Sequence, residues 1–422
     1  MSRYRNARNW QGFVTAGLLA LAIPAEAQDD PAPAPWQGVV ADIGEVTPIT
    51  DYQGLAILFP DSASVRRRLI NAYLEADRPG DALAEAVELV KRGYVFSPGG
   101  RETMLSLGPT PEQREVLARQ ELVGPLENSA VLTTVPEEIR LVESAWFDRA
   151  GDIFVTSVVS RGLYVQRAGA GEWQAIPIDG AGSLSGMVFD ERSGLLWVAS
   201  GVFDQTPDAA TAFRGLVAID PRSGQERQRI AAPAGGSPSD LAIGADGTLF
   251  ASDPLSGAVY TARPGASALD VLVPSGTFRS PQGIVAFPDG SQIVVSDYGY
   301  GLALVDTASG AAHRIAAEGG ELLDGIDGLW LVGDSLVGIQ NGLRPMRIVR
   351  LELSADRTRV VSAHDWERAN PAWTEPVSGT VAGSRLVYVA TGQWDRFGQG
   401  GAPVGDRPAV PTEIRVTDFS DR

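Results

Sequence analysis

Cysteine is absent from all 422 residues, and histidine occurs only twice, as His313 and His364. The first absence excludes disulfides, thiolate zinc sites and thiol nucleophiles. The second leaves too few imidazoles for a multi-histidine metal centre. Positive charge is also scarce. Lys and Arg number 35 against 52 Asp and Glu, for a net charge of −17, which argues against nucleic acid as a partner. No apolar run is long enough to cross a bilayer, which takes about 20 residues; the longest spans Phe13 to Ala25.

That run has the form of a signal peptide. Arg3, Arg5 and Arg8 precede it, and Ala25-Glu26-Ala27 follows as a small-residue cleavage site. Residues 1–27 are therefore expected to be removed. The mature protein is expected to be periplasmic or secreted, with no stable membrane insertion after cleavage. An uncleaved anchor is the alternative.

Residues 28–59 read as a Pro- and Ala-rich linker and lead-in. Helical spacing then appears in Val65, Leu69, Tyr73 and Ala76, and again in Leu83, Ala86, Val87 and Val90 beyond the Pro79-Gly80-Asp81 turn. Thr110-Pro111-Glu112-Gln113 opens a further helix with a capping box. Residues 60–125 form a helical segment whose Leu69, Tyr73 and Ala82 resemble the packing positions of a tetratricopeptide unit. One such unit cannot bury its own face. It either packs on its neighbour or offers a groove to a protein partner.

From about residue 128 short apolar runs alternate with turns, and glycine (48) and proline (28) are plentiful. Six similar passages begin around Glu143, Ser185, Asp240, Gln282, Asp327 and Ser378, at intervals of 42, 55, 42, 45 and 51 residues. Each reads as a polar residue, a strand, a Gly/Asp turn and a second strand. This spacing predicts a mainly β fold, a six-bladed β-propeller over residues 128–420, preceded by the helical segment. Residues 130–135 should supply the outermost strand of the last blade and close the ring.

In a propeller the start of each innermost strand sits at the mouth of the axial channel, so the six polar residues should converge. Asp253, Asp297 and Asn341, which end the returning strands 13–15 residues later, should flank them. Three carboxylates on a narrow axis either take up protons or hold a cation. Glu143, Asp240 and Asp327 with the Gln282 amide are hard oxygen ligands suited to Ca²⁺. Asp253 and Asp297 also fit a strand-end hydrogen-bonding role. His313 and His364 fall on outer strands, where a structural role is expected. Trp366, Trp373 and Trp394 fit either core packing or the channel entrance.

These residues resemble the gluconolactonase, regucalcin and luciferin-regenerating-enzyme family of six-bladed propellers, over roughly residues 128–420. The family pattern has Glu in blade 1, Asn in blades 3 and 4, and Asp in blade 5. Position by position this implies Glu143, Asp240, Gln282 and Asp327 as ligands of an axial divalent cation, most simply Ca²⁺. It implies Asp327 as general base or nucleophile, with Glu143 beside it, and a small-molecule lactone or ester as substrate. Ser185 and Ser378, on the other two blades, would be substrate-facing or supporting positions with Asn341, Asp297 and Asp253. The chain departs from the pattern. Glu-Gly-Pro is Glu143-Ser144-Ala145, Asn is replaced by Asp240 and Gln282, and the paraoxonase histidine dyad has no counterpart. A non-catalytic periplasmic scaffold or binding propeller, with or without a structural cation, is the second reading.

Overall fold

The computed structural model describes residues 34–36, 49–119 and 124–420. The expected signal peptide and most of the expected linker lie outside the described residues. No described helix is long and apolar enough to cross a membrane.

Among the described residues the strands form six separate sheets, antiparallel except where Ala316–Ala317 pairs parallel with Arg359–Arg368. Their innermost strands are Val142–Phe147, Ser183–Asp190, Asp240–Ile243, Pro281–Ala286, Ile326–Val332 and Gly379–Ala382, here blades 1 to 6. Each innermost strand neighbours the next, and blade 6 returns to blade 1. The ring closes as expected: Ser129–Val135 pairs antiparallel with Thr412–Asp418 as the outer strand of blade 6. Both ends of the propeller chain thus share one sheet, and that blade keeps no edge where the ring would otherwise open.

Alternation explains why the sheets stack radially. In blade 2, Leu196 and Val198 join Phe154 and Val165 of blade 1 in one core. The intervening Trp197 and Ala199 join Leu249 and Tyr260 of blade 3 in another. A period of two thus feeds two inter-blade cores from one strand. Hydroxyls tie neighbouring blades near the axis. Thr156 Oγ1 donates to Ser185 O (2.6 Å), Ser252 Oγ to Gln282 O (2.6 Å) and Thr380 Oγ1 to Ala145 O (2.9 Å).

Among the described residues five helices precede the propeller: α1 (Ile49–Leu58), α2 (Ala63–Glu75), α3 (Pro79–Lys91), α4 (Pro98–Ser106) and α5 (Pro111–Ala118). The capping box of α5 is present, with both Thr110–Gln113 hydrogen bonds formed. A lone tetratricopeptide hairpin is too small a description. Helix α1 falls in the stretch read as lead-in, and α4 lacks a clear apolar repeat. Leu69, Tyr73, Ala82, Leu83, Ala86 and Leu89 of α2 and α3 are buried in one core with Leu322 and Leu343 of blade 5. The helical unit is therefore docked on the propeller. Phe59 stacks on Tyr300 at 4.5 Å. Trp36, read as linker, packs into the same region and donates its indole N–H to Thr277 O (3.1 Å).

Docking is polar as well as apolar. The Asp324 carboxylate, fully buried, accepts from the amides of Ala63 (2.9 Å) and Ser64 (2.7 Å) at the start of α2. Ser62 accepts from Val65 N and donates to Gly299 O (2.8 Å). A blade 5 carboxylate thus supplies acceptors to helix-terminal amides that have no partner within the helix.

Candidate active site

Four of the six polar residues at the strand starts lie inside β-bulges. Register slips between Val142 and Ala145, Leu184 and Met187, Pro281 and Ile284, and Ile326 and Leu329. Glu143, Ser185, Gln282 and Asp327 occupy those gaps. A bulge leaves its extra residue outside the ladder and re-aims its side chain. Two glycines make room beside them. A side chain at Gly186 would collide with the Asp240 carboxylate, and one at Gly283 with the Asp327 carbonyl.

The carboxylates act on one another. Glu143 is 7% exposed, and its carboxyl is pushed well above the usual range, first by loss of water and then by the charge of Asp327. Burial, opposed in part by the Leu241 amide, raises Asp240 to about 7, and Asp327 pushes in the same direction. Asp327 itself is raised to about 6 by burial, against a lowering hydrogen bond from Asn341. Glu375 joins them. Burial and the charge of Asp327 raise it to about 7. Lost solvation and like charge both favour the protonated form.

Each carboxylate is held at one side. Asn341 Nδ2 donates to Asp327 Oδ2 (2.8 Å) and to Pro376 O (2.9 Å), while Asn341 Oδ1 accepts from Tyr298 O–H (2.8 Å). Trp394 donates its indole N–H to Glu143 Oε2 (2.7 Å), and its backbone amide favours the ionised form of Glu375. Trp394 therefore belongs to the channel mouth. Trp366 and Trp373 lie in the core between blades 5 and 6. Glu375 and Tyr298 were not anticipated. Their available signals were position: Glu375 stands three residues before Ser378, and Tyr298 directly follows Asp297.

The remaining expected residues divide. Gln282 donates its amide to Ser280 Oγ (3.2 Å), which leaves its side-chain oxygen to another partner. Ser185 Oγ is engaged with Ser239 O (2.7 Å). Ser378 Oγ is buried without a hydrogen-bond partner. Asp253 and Asp297, placed among substrate-facing positions, have their oxygens taken up by the fold. Asp253 accepts from the amides of Ser237, Leu255 and Ser256 and from Tyr260 O–H. Asp297 accepts from the amides of Arg279 (2.7 Å) and Gly299 (2.9 Å). His313 and His364 sit on outer strands of blades 4 and 5.

Among the described residues, no three His, Asp or Glu side chains come close enough together to hold one ion. The chemistry of the donor set still fits a hard cation. Every candidate ligand is an oxygen, and the raised carboxyls of Asp240 and Asp327 have no guanidinium or ammonium among the groups that act on them. The unpartnered Ser378 hydroxyl lies at the same end of the channel.

No protein-family model matches the chain, and no curated protein matches it. It is similar to solved propeller structures. A gluconolactonase from Xanthomonas campestris is 15% identical, over 69% of this chain and 95% of that one, with a TM-score of 0.45. The calcium-binding protein regucalcin from Agrobacterium tumefaciens is 16% identical, over 68% and 95%, with a TM-score of 0.44. A PQQ-bound aldose sugar dehydrogenase from Streptomyces coelicolor is 15% identical, over 69% and 100%, also at 0.44.

Proposed function

We propose that the channel mouth is the active site of an exported, divalent-cation-dependent hydrolase that opens a lactone or a related ester. The observation that carries this reading is the placement of Glu143, Asp240, Asp327 and Glu375, buried or half-buried, at one end of the axis, with Trp394 fixing Glu143 and Asn341 fixing Asp327. Buried like charges destabilise a fold unless something recoups the cost, and such clusters concentrate at functional sites. Glu143, Asp240, Gln282 and Asp327 would hold the cation, Ca²⁺ by donor type, which when bound supplies positive charge to polarise an ester carbonyl.

The chain's own groups then have definite tasks. Asp327 is fixed through Oδ2 by Asn341, and Asn341 is fixed by Tyr298, which leaves Asp327 Oδ1 to accept a proton from water. A carboxyl titrating near 6 suits a general base close to neutral pH. Trp394 holds Glu143 by its ring and Glu375 by its backbone, which sets the spacing of two acids. Export is supported by the arginine-flanked apolar start and Ala25-Glu26-Ala27.

A panel of lactones and aryl esters, assayed with Ca²⁺, Mg²⁺ and Mn²⁺, tests the reading. Asp327→Asn is expected to lower turnover by at least ~10²-fold while the melting temperature is kept. The separation of the acidic side chains favours the second reading, a non-catalytic scaffold. Absence of hydrolysis across the panel with every ion would establish that reading instead.

A further inference from the structure

Away from the axis, the seam between the helical unit and blade 5 has the opposite chemistry. A cavity of about 300 Å³ there is lined by Arg92, Arg344, Arg347 and Arg368, with Asp365 as its acid. It adjoins a second cavity of about 720 Å³ that shares Arg347, Asp365 and Arg368 and adds His364 and Arg350, the latter paired with Glu352 (3.0 Å) on the same wall. In a chain of net charge −17 such a concentration of guanidinium groups stands out.

The charges do not cancel locally. Arg92 is answered by Glu88 (2.8 Å) and by Asp61 (3.4 Å), which Arg314 shares. Asp365 is divided between Arg347 (3.0 Å) and Arg368 (3.2 Å). Arg344 has no carboxylate partner among the described residues, and Arg347 and Arg368 share one, so positive charge is in excess along the cavities. The walls are nonetheless set. Arg347 Nε donates to Gln340 Oε1 (2.6 Å), and Arg368 Nε donates to Gly124 O (3.0 Å). Arg92 Nη1 donates to Gly320 O (3.2 Å). Among the described contacts Nη2 of Arg92 and of Arg368 makes no hydrogen bond. Nε and Nη1 of both side chains are engaged by the protein, which fixes each guanidinium and leaves Nη2 to donate to an oxyanion.

We propose that this seam is a binding site for a small anion carrying two or more carboxylate or phosphate groups, separate from the axial site. The adjoining volume accommodates the body of such a ligand, and the spread of arginines along it selects for multivalency over a single charge.

The test uses the full chain, stripped of divalent cations with a chelator so that an anion cannot act by removing an ion. Titration calorimetry with citrate and with pyrophosphate should give a dissociation constant below about 1 mM for at least one of them. Binding should weaken with added salt, and acetate should not compete. Citrate alone would identify a polycarboxylate, pyrophosphate alone a phosphorylated compound. Arg344→Glu, at an exposed side chain, should weaken binding by about 10-fold or more, and Arg368→Gln by a similar factor. Asp327→Asn should leave it unchanged. Failure of both anions to bind, or equal binding by wild type and Arg344→Glu, would overturn the proposal.

Discussion

Asp253 and Asp297 end the second strands of blades 3 and 4, and Asp240 and Asp327 begin the first strands of blades 3 and 5. All four are aspartates near the same face of one propeller. The strand-end pair is wholly buried, yet its oxygens are saturated by backbone amides and, for Asp253, a tyrosine hydroxyl. The channel pair keeps some exposure but has few donors and carboxylate neighbours. Burial therefore does not mark a functional acid. What marks it is whether the surrounding backbone provides for its charge.

That contrast makes opposite demands on mutants. Asp253→Ala would strip the acceptor from the buried Ser237 amide, from the partly buried Leu255 and Ser256 amides and from the Tyr260 hydroxyl, and is expected to cost about 3 kcal/mol or more in chemical denaturation. A loss under 1 kcal/mol would erase the distinction.

The pH dependence of the cation-free protein should follow the channel group. Unfolded carboxyls ionise near 4, whereas folded Asp240 and Glu375 do so at about 7 and Asp327 at about 6. Between those values the folded chain retains protons that the unfolded chain has lost. This contribution is fully favourable below about 4 and is lost as pH rises through about 7. Surface acids pull the other way at the low end. Asp220 and Asp289, each lowered to about 2 chiefly by an arginine partner, add stability that disappears as pH falls towards 2. Melting temperature should peak near pH 4–5 and decline towards pH 8. A flat profile across pH 5–8 would mean that burial does not raise these carboxyls.

The smallest effect is the most discriminating. Asp240→Asn removes a charge with little change of shape, so in the cation-free protein it should raise the melting temperature at pH 7.5 by about 1–3 °C. At pH 4.5, where Asp240 is already protonated, it should do nothing. A fall at pH 7.5 would place Asp240 with the strand-end aspartates.

The propeller was legible because its signals are local and repeated. Apolar residues of period two, a turn with a positive-φ glycine and a polar residue near the start of each first strand recur six times, and ring closure needs only a strand such as 130–135 at one end. The positions of Glu143, Asp240, Gln282 and Asp327 follow from that repeat. Their surroundings do not. Trp394 reaches Glu143 across 251 residues and Tyr298 reaches Asn341 across 43, and no periodicity encodes such a pairing. The bulges that turn Glu143, Ser185, Gln282 and Asp327 out of the ladder are read from register, which exists only once two strands have paired. The aspartates of Ala251-Ser252-Asp253 and Asp327-Gly328 are equally polar as letters. Which of them meets amides and which meets other carboxylates was decided by the closed ring, because a charge is stabilised or left exposed only by the atoms that folding brings within a few ångströms of it.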